Sequence, residues 1–228
     1  DIALLLRKAG VEFGYLYEDD LYTGALAYDM GADRQFEEHA RRVHAMLTRR
    51  GVRSVITVDP HTHNMLHSVY PEILEGFDVE VKSYLEVLAA SGMEPVRRLE
   101  EEVVVHDSCV YARYEGIIEE PRALLAKAGY VIKEPRDTKV LTHCCGGPAE
   151  SIFPKTAHRI AKKRVAQLRD AKGARWATMC PICLATLNKA SARRPVVNDL
   201  SALLARAYCD VPGATAAESV ADGEGSGS

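Results

Sequence analysis

Five cysteines constrain this chain more than any other feature. Cys109 is followed by 34 residues, then the pair Cys144-Cys145, then another 34 residues, then Cys180-Pro181-Ile182-Cys183. Thiolates at such spacings need a fold that carries three distant turns to one point. They are the ligands of iron–sulfur clusters. Two other uses compete. A structural zinc site takes four thiolates and leaves the fifth without a role. A thioredoxin-like dithiol of Cys180 and Cys183 leaves three cysteines unexplained. The pattern therefore favours one iron–sulfur cluster on Cys109, Cys144, Cys145, Cys180 and Cys183, with zinc as the competing reading. A chain of this length with so many free thiols belongs in a reducing compartment, so the expected location is the cytoplasm. The sixth cysteine, Cys209, stands apart and reads as a bystander.

An internal repeat at an offset of about 120 residues organises the rest. Ala3-Leu4-Leu5-Leu6-Arg7-Lys8-Ala9-Gly10 resembles Ala123-Leu124-Leu125-Ala126-Lys127-Ala128-Gly129, and Tyr22-Thr23-Gly24 stands where the second half has Cys144-Cys145-Gly146. The amphipathic run 36–50, closed by Gly51, answers the run 157–172, closed by Gly173. The strand-like segments 52–58 and 174–179 follow, running into Asp59-Pro60-His61-Thr62 and Cys180-Pro181-Ile182-Cys183. Each half reads as helix, loop, long helix ended by a glycine, short buried strand, and a helix with proline in its first turn. A further strand and helix close each unit. Strands alternating with helices predict an α/β fold with mostly parallel sheets. Two pseudo-repeated subdomains are expected, 1–100 and 101–208, joined near 97–102, with the cluster site at the sheet edge of the second. Residues 209–228 turn to Gly, Ser, Ala and Glu and are expected to form a flexible tail.

In an open α/β sheet, the turns that carry the cysteines converge at the carboxyl edge, where helix N-termini offer free N–H groups to an anionic core. Gly146 and Gly147 let the backbone approach that core, and Pro181 fixes the chain between two ligands. His106 and His143 each adjoin a ligand segment and are candidates for hydrogen bonds to sulfur, or for local packing. Tyr111, Arg113 and Tyr114 follow Cys109 and either cover the centre or pack in the core.

His106-Asp107-Ser108-Cys109, His143-Cys144-Cys145-Gly146-Gly147 and Cys180-Pro181-Ile182-Cys183 together resemble the cysteine-rich CCG domain. That domain occurs in heterodisulfide reductase B and D subunits and in the iron–sulfur subunits of lactate, glycolate and anaerobic glycerol-3-phosphate dehydrogenases. The resemblance covers roughly residues 1–208. It implies one [4Fe-4S] cluster, a non-cubane one if all five cysteines ligate, a cubane if only four do. It also implies redox partners: flavin- or ferredoxin-type iron–sulfur subunits and a quinone-reactive membrane subunit. Peripheral placement at the inner face of a membrane would follow from those partners. The first repeat departs from the family. Tyr22 and Thr23 replace the cysteine pair, and Asp59 and Thr62 replace the Cys-x-x-Cys. One cluster is expected, not two. Asp59, His61, His63 and His67 crowd the same helix start. His61, His63 and Tyr22 are the candidates for a substrate or quinone contact, His61 and His63 also for a second metal, against the plain reading of exposed helix-start residues.

Three functions compete: electron relay to an acceptor such as a quinone, disulfide or thiol chemistry at the cluster, and a structural zinc scaffold. A net charge of −3 gives no reason to expect nucleic acid, and no apolar run reaches the length of a membrane span. The basic run Lys162-Lys163-Arg164 reads as a solvated helix face. The start at Asp1, straight into Ile2-Ala3-Leu4-Leu5-Leu6 without an initiator Met, suggests a piece of a larger polypeptide.

Overall fold

The structure, a computed structural model, describes residues 1–191 and 196–210. In chain order the helices and strands are α1 (Ile2–Lys8), α2 (Ala25–Asp29), α3 (Asp33–Arg49), β1 (Ser54–Thr57), α4 (Pro60–Asn64), α5 (Tyr70–Ile73), β2 (Glu80–Ser83) and α6 (Tyr84–Ala90). There follow β3 (Glu102–His106), α7 (Glu119–Lys127), β4 (Val131–Lys133), α8 (Pro154–Asp170), β5 (Arg175–Thr178), α9 (Pro181–Ala190), β6 (Val197–Asp199) and α10 (Leu200–Tyr208). Two π-helical turns, Met65–Val69 and Tyr111–Glu115, join α4 to α5 and follow Cys109.

All pairings are parallel. β1 pairs with β2, and a second sheet runs in the order β4-β3-β5-β6. The α/β expectation is met, and the order strand, proline-started helix, strand, helix recurs as β1-α4-β2-α6 and β5-α9-β6-α10. Asp59 caps α4 by accepting from His61 N and Thr62 N, both at 2.9 Å, so the first-half turn keeps its shape without cysteine. α3 ends as its sequence requires: Gly51 takes φ +66° and Val52 N donates back to Leu47 O at 3.0 Å. α8 ends differently from expectation. Lys172, not Gly173, adopts the left-handed conformation (φ +57°). Gly173 is needed for another reason, since a Cβ there would stand 2.6 Å from Val104 Cγ2.

The Val103-Val104-Val105 run of β3 is buried on both faces, as a central parallel strand must be. Val103 and Val105 face a core built from α1, α6, α7 and α10, whereas Val104 faces α8, α9 and Trp176. Elements of the first half thus pack directly on the second sheet. Full burial of each valine contributes about 1.5–3 kcal/mol. The 94–101 connection lies against this core, with Val96 N donating to Ala207 O and Leu99 N to Ala128 O, both at 2.9 Å. Cys209 is still packed in the core at the end of α10. Beyond residue 210 the expected tail lies outside the described residues.

Candidate metal centre

β3 and β5 are neighbours in register, with His106 opposite Thr178. Their carboxyl ends therefore release two segments side by side: Asp107-Ser108-Cys109 from β3, and Met179-Cys180 from β5. Cys180 is the N-cap of α9 and Cys183 lies in its first turn. Cys144 and Cys145 come from the loop ahead of α8. The apolar cluster on the α8/α9 face of the sheet includes Cys145, Cys180 and Cys183, each no more than 3% exposed.

The five thiols form one unbroken line of contacts. Cys109 neighbours Cys144 closely enough for each thiol to shift the other's acidity, and Cys144 does the same with Cys145. Cys183 Sγ lies 3.1 Å from Cys145 Sγ, and Cys183 and Cys180 shift one another's acidity as neighbours at the start of α9. Cys180 in turn meets His61 from the first half. Backbone amides add to this: Gly146 N donates to Cys144 Sγ at 3.3 Å and Gly147 N to Cys145 Sγ at 3.4 Å. Bonds from Cys109 and Cys145 hold the Cys144 thiol far below its ordinary range. Bonds from Cys183 and His61, against the cost of burial, bring Cys180 to about 5. Cys183 is pushed well above the thiol range by the neighbours that it serves. Sulfurs this close cannot all ionise unless a cationic core neutralises them, and five such donors fit a sulfur-bridged iron core.

Glycine is required at the turn. A Cβ on Gly147 would stand 2.2 Å from Ile182 Cγ2, and one on Gly146 2.7 Å from the backbone oxygen of Ala157. Gly146 also adopts φ +82°. Gly146→Ala is expected to cost about 1–3 kcal/mol through the left-handed backbone alone, and more through the clash. It should lower thermal stability and iron loading together, measured on the same preparation.

Buried polar side chains hold these segments. Asp107 accepts from Arg122 Nη1 (2.8 Å) and Nη2 (3.0 Å), from Lys139 N (2.7 Å) and from Thr138 Oγ1 (3.1 Å). Arg122 and Lys139 hold its carboxyl below the usual range in spite of burial. Arg164, expected on a solvated face, is fully buried. It donates to His106 Nδ1 (2.9 Å), Arg136 O (3.1 Å), Asp137 O (2.9 Å) and Gln167 Oε1 (2.9 Å). Lys162 and Lys163 alone fit the solvated reading. Because His106 Nδ1 accepts from Arg164, its Nε2 carries the proton. That nitrogen has no hydrogen-bond partner among the described residues, and the ring comes within 4.8 Å of the Cys145 and Cys183 sulfurs. Arg113 ties the loop to the Cys109 segment by donating to Val140 O at 3.0 Å and to Thr142 O. Tyr111 is buried and Tyr114 exposed.

The remaining candidates divide. Pro181 opens α9 between two thiols. His143 Nδ1 donates to Cys144 O at 3.0 Å, a backbone bond within the loop. His61 reaches the line of thiols. His63 does not: it is buried, with Nδ1 at 2.8 Å from Thr57 Oγ1, so the exposed helix-start reading fails for it. The Tyr22 hydroxyl accepts from Leu26 N at 2.7 Å, at the start of α2.

Residues 103–188 match the cysteine-rich CCG domain. The chain is 29% identical to the "Probable membrane-anchored ferredoxin" of Chromohalobacter salexigens, over 93% of this chain and 34% of that protein. It is 31% identical to the "EtfAB:quinone oxidoreductase" of Syntrophomonas wolfei, over 79% of this chain and 27% of that protein. It is 25% identical to one subunit of the dihydromethanophenazine:CoB--CoM heterodisulfide reductase of Methanosarcina acetivorans, over 78% of this chain and 46% of that protein. The chain thus spans less than half the length of each of these relatives.

Proposed function

Because residues 103–188 match the cysteine-rich CCG domain, we propose that this chain is the iron–sulfur redox domain of a larger oxidoreductase, relaying electrons towards an acceptor such as a quinone. The observation that carries this reading is the continuous line of sulfur contacts from Cys109 through Cys144, Cys145 and Cys183 to Cys180. These five would hold one [4Fe-4S] cluster, non-cubane when all five ligate and cubane when four do. The bound cluster supplies a one-electron carrier whose potential depends on hydrogen bonds to its sulfurs and on burial.

The chain's own residues set those conditions. β3, α8 and α9 keep water from Cys145, Cys180 and Cys183. Amides of Gly146 and Gly147 donate to ligand sulfur. Arg164 fixes the His106 tautomer with its proton on Nε2. From the first half, His61 stands beside Cys180 and favours its thiolate, as the amide bonds do for Cys144 and Cys145. Such bonds stabilise the more electron-rich state. His61→Ala is therefore expected to lower the midpoint potential in an EPR-monitored titration while iron and sulfide contents stay at the native level.

The partners proposed are a flavin- or ferredoxin-type donor and a quinone-reactive membrane subunit, consistent with the names that two relatives carry. The chain would then lie at the cytoplasmic face of a membrane through them; among the described residues no helix is long and apolar enough to cross one. A second reading is favoured by His61. A disulfide that takes two electrons needs two protons to leave as two thiols, and an imidazole beside Cys180 is placed to give one. Assay of the complex containing this chain with a quinone analogue and with disulfides separates the two. The relay reading expects quinone reduction without disulfide turnover, and the reverse result overturns it.

A further inference from the structure

Away from the thiols, α4 and the π-turn 65–69 of the first half meet the end of the π-turn 111–115. His63, His67 and Glu115 come together there, with ligand-capable atoms all within 4.8 Å of one another. The Glu115 carboxylate is fully buried. Among the described residues its partners are Asn64 Nδ2 (2.6 Å), Ser68 Oγ (2.9 Å), His67 Nδ1 (2.7 Å) and His63 Nε2 (3.7 Å). Among the described residues no lysine or arginine pairs with it, and a buried carboxylate without a cation is costly.

The tautomer of His63 sharpens the problem. The Thr57 hydroxyl donates to Lys82 O at 3.3 Å, so its oxygen accepts from His63 Nδ1–H at 2.8 Å. His63 Nε2 then carries a lone pair and turns it towards a carboxylate. Two acceptors face each other, and something positive belongs between them. A proton on His63 is one possibility. Burial pushes this imidazole below its ordinary range, His67 acts in the same direction, and the nearby Glu115, Glu86 and Asp59 do not reverse the shift. A divalent metal is the other possibility, since it binds neutral imidazole and ionised carboxylate.

We propose that His63 Nε2, His67 Nδ1 and the Glu115 carboxylate form a second metal site, for a zinc-class divalent cation, with water as fourth ligand. His63 and His67 are four residues apart, and their rings lie 5.0 Å apart at 15°. The 2.7 and 3.7 Å separations from Glu115 bracket the ~3.3 Å between two ligands on one tetrahedral ion with bonds near 2.0–2.1 Å. Thr57, Asn64 and Ser68 supply the outer hydrogen bonds that orient such ligands. A half-exposed His67 opens the site to solvent. An ion there clamps the ligand-free half to the segment that begins at Cys109.

The test uses the cluster-loaded protein, stripped of loosely held metal and titrated with zinc(II), with zinc, iron and sulfide measured per chain. The wild type should take up about one zinc beyond the cluster metal. Glu115→Gln and His67→Ala should weaken that binding at least tenfold, and Thr57→Val about 10–100-fold, with iron and sulfide unchanged. Cobalt(II) in the same site should give ligand-field bands without sulfur-to-cobalt charge transfer, which separates it from thiol binding. Zinc uptake no greater in the wild type than in Glu115→Gln, with the cluster intact, overturns the proposal and leaves Glu115 paired with imidazolium. Charge-transfer bands from thiolate would overturn it equally.

Discussion

Cys145→Ser is expected to strip the protein of iron and acid-labile sulfide together. Cys145 stands in the middle of the thiol line, next to Cys144 in the chain and 3.1 Å from Cys183 Sγ. Changes that merely misorient a ligand already cost about 10–100-fold in metal affinity, and removing the ligand costs at least as much. Far-UV circular dichroism should change little, because the opposite face of β3 and β5 rests with α1, α6, α7 and α10 on an apolar core that holds none of the five thiols. Cys209→Ser is the control. Cys209 lies at the end of α10 in that other core, so iron and sulfide should stay at the native level. A Cys145→Ser protein with its full iron content would remove Cys145 from the ligand set and with it the five-thiol, non-cubane reading.

Arg122→Ala should produce the largest loss of stability. Arg122 joins Asp107, Glu134, Thr138 and Ile118 O across α7, the β3 turn and the loop before the cysteine pair. Its removal leaves the Asp107 carboxylate, 2% exposed, with neutral partners alone. Breaking a buried pair from one side costs about 3–5 kcal/mol, which for a chain of this size lowers Tm by roughly 6–20 °C. The double replacement Arg122→Met with Asp107→Leu removes both charges and should recover much of the loss. Calorimetry of the three proteins checks this, and an Arg122→Ala Tm within a degree or two of native would contradict it.

The five candidate cysteines stood out in the sequence because ligation fixes residue type and leaves spacing as the only variable. The fold was legible in part. The repeat points to the strands that became β1 and β5, and to helices opened by Pro60 and Pro181, whereas the central strand β3 with its Val103-Val104-Val105 and its neighbour β4 lie outside that pattern. What holds the ligands in place was harder to see. Arg164 looks like the end of a basic run. It nevertheless lies three residues after buried Ala161 and four before buried Leu168, so a charge on the apolar stripe of α8 was the available signal. Asp107 and Arg122 meet because α7 folds over the end of β3, which no local pattern announces. His63 and His67 share a helical face by spacing, but Glu115 reaches them from the other half of the chain. The sequence repeat hid this as well: matching 59–62 to 180–183 drew His61 and His63 into one group, and the structure sets His61 beside Cys180 and His63 beside Glu115.

Metal and sulfide analysis with EPR, on protein prepared without oxygen, tests the central claim most directly. The account predicts about four iron and about four acid-labile sulfide per chain, a signal from a single cluster in one of its redox states, and loss of all three in Cys145→Ser. A colourless protein with zinc on its thiols and no labile sulfide would contradict it.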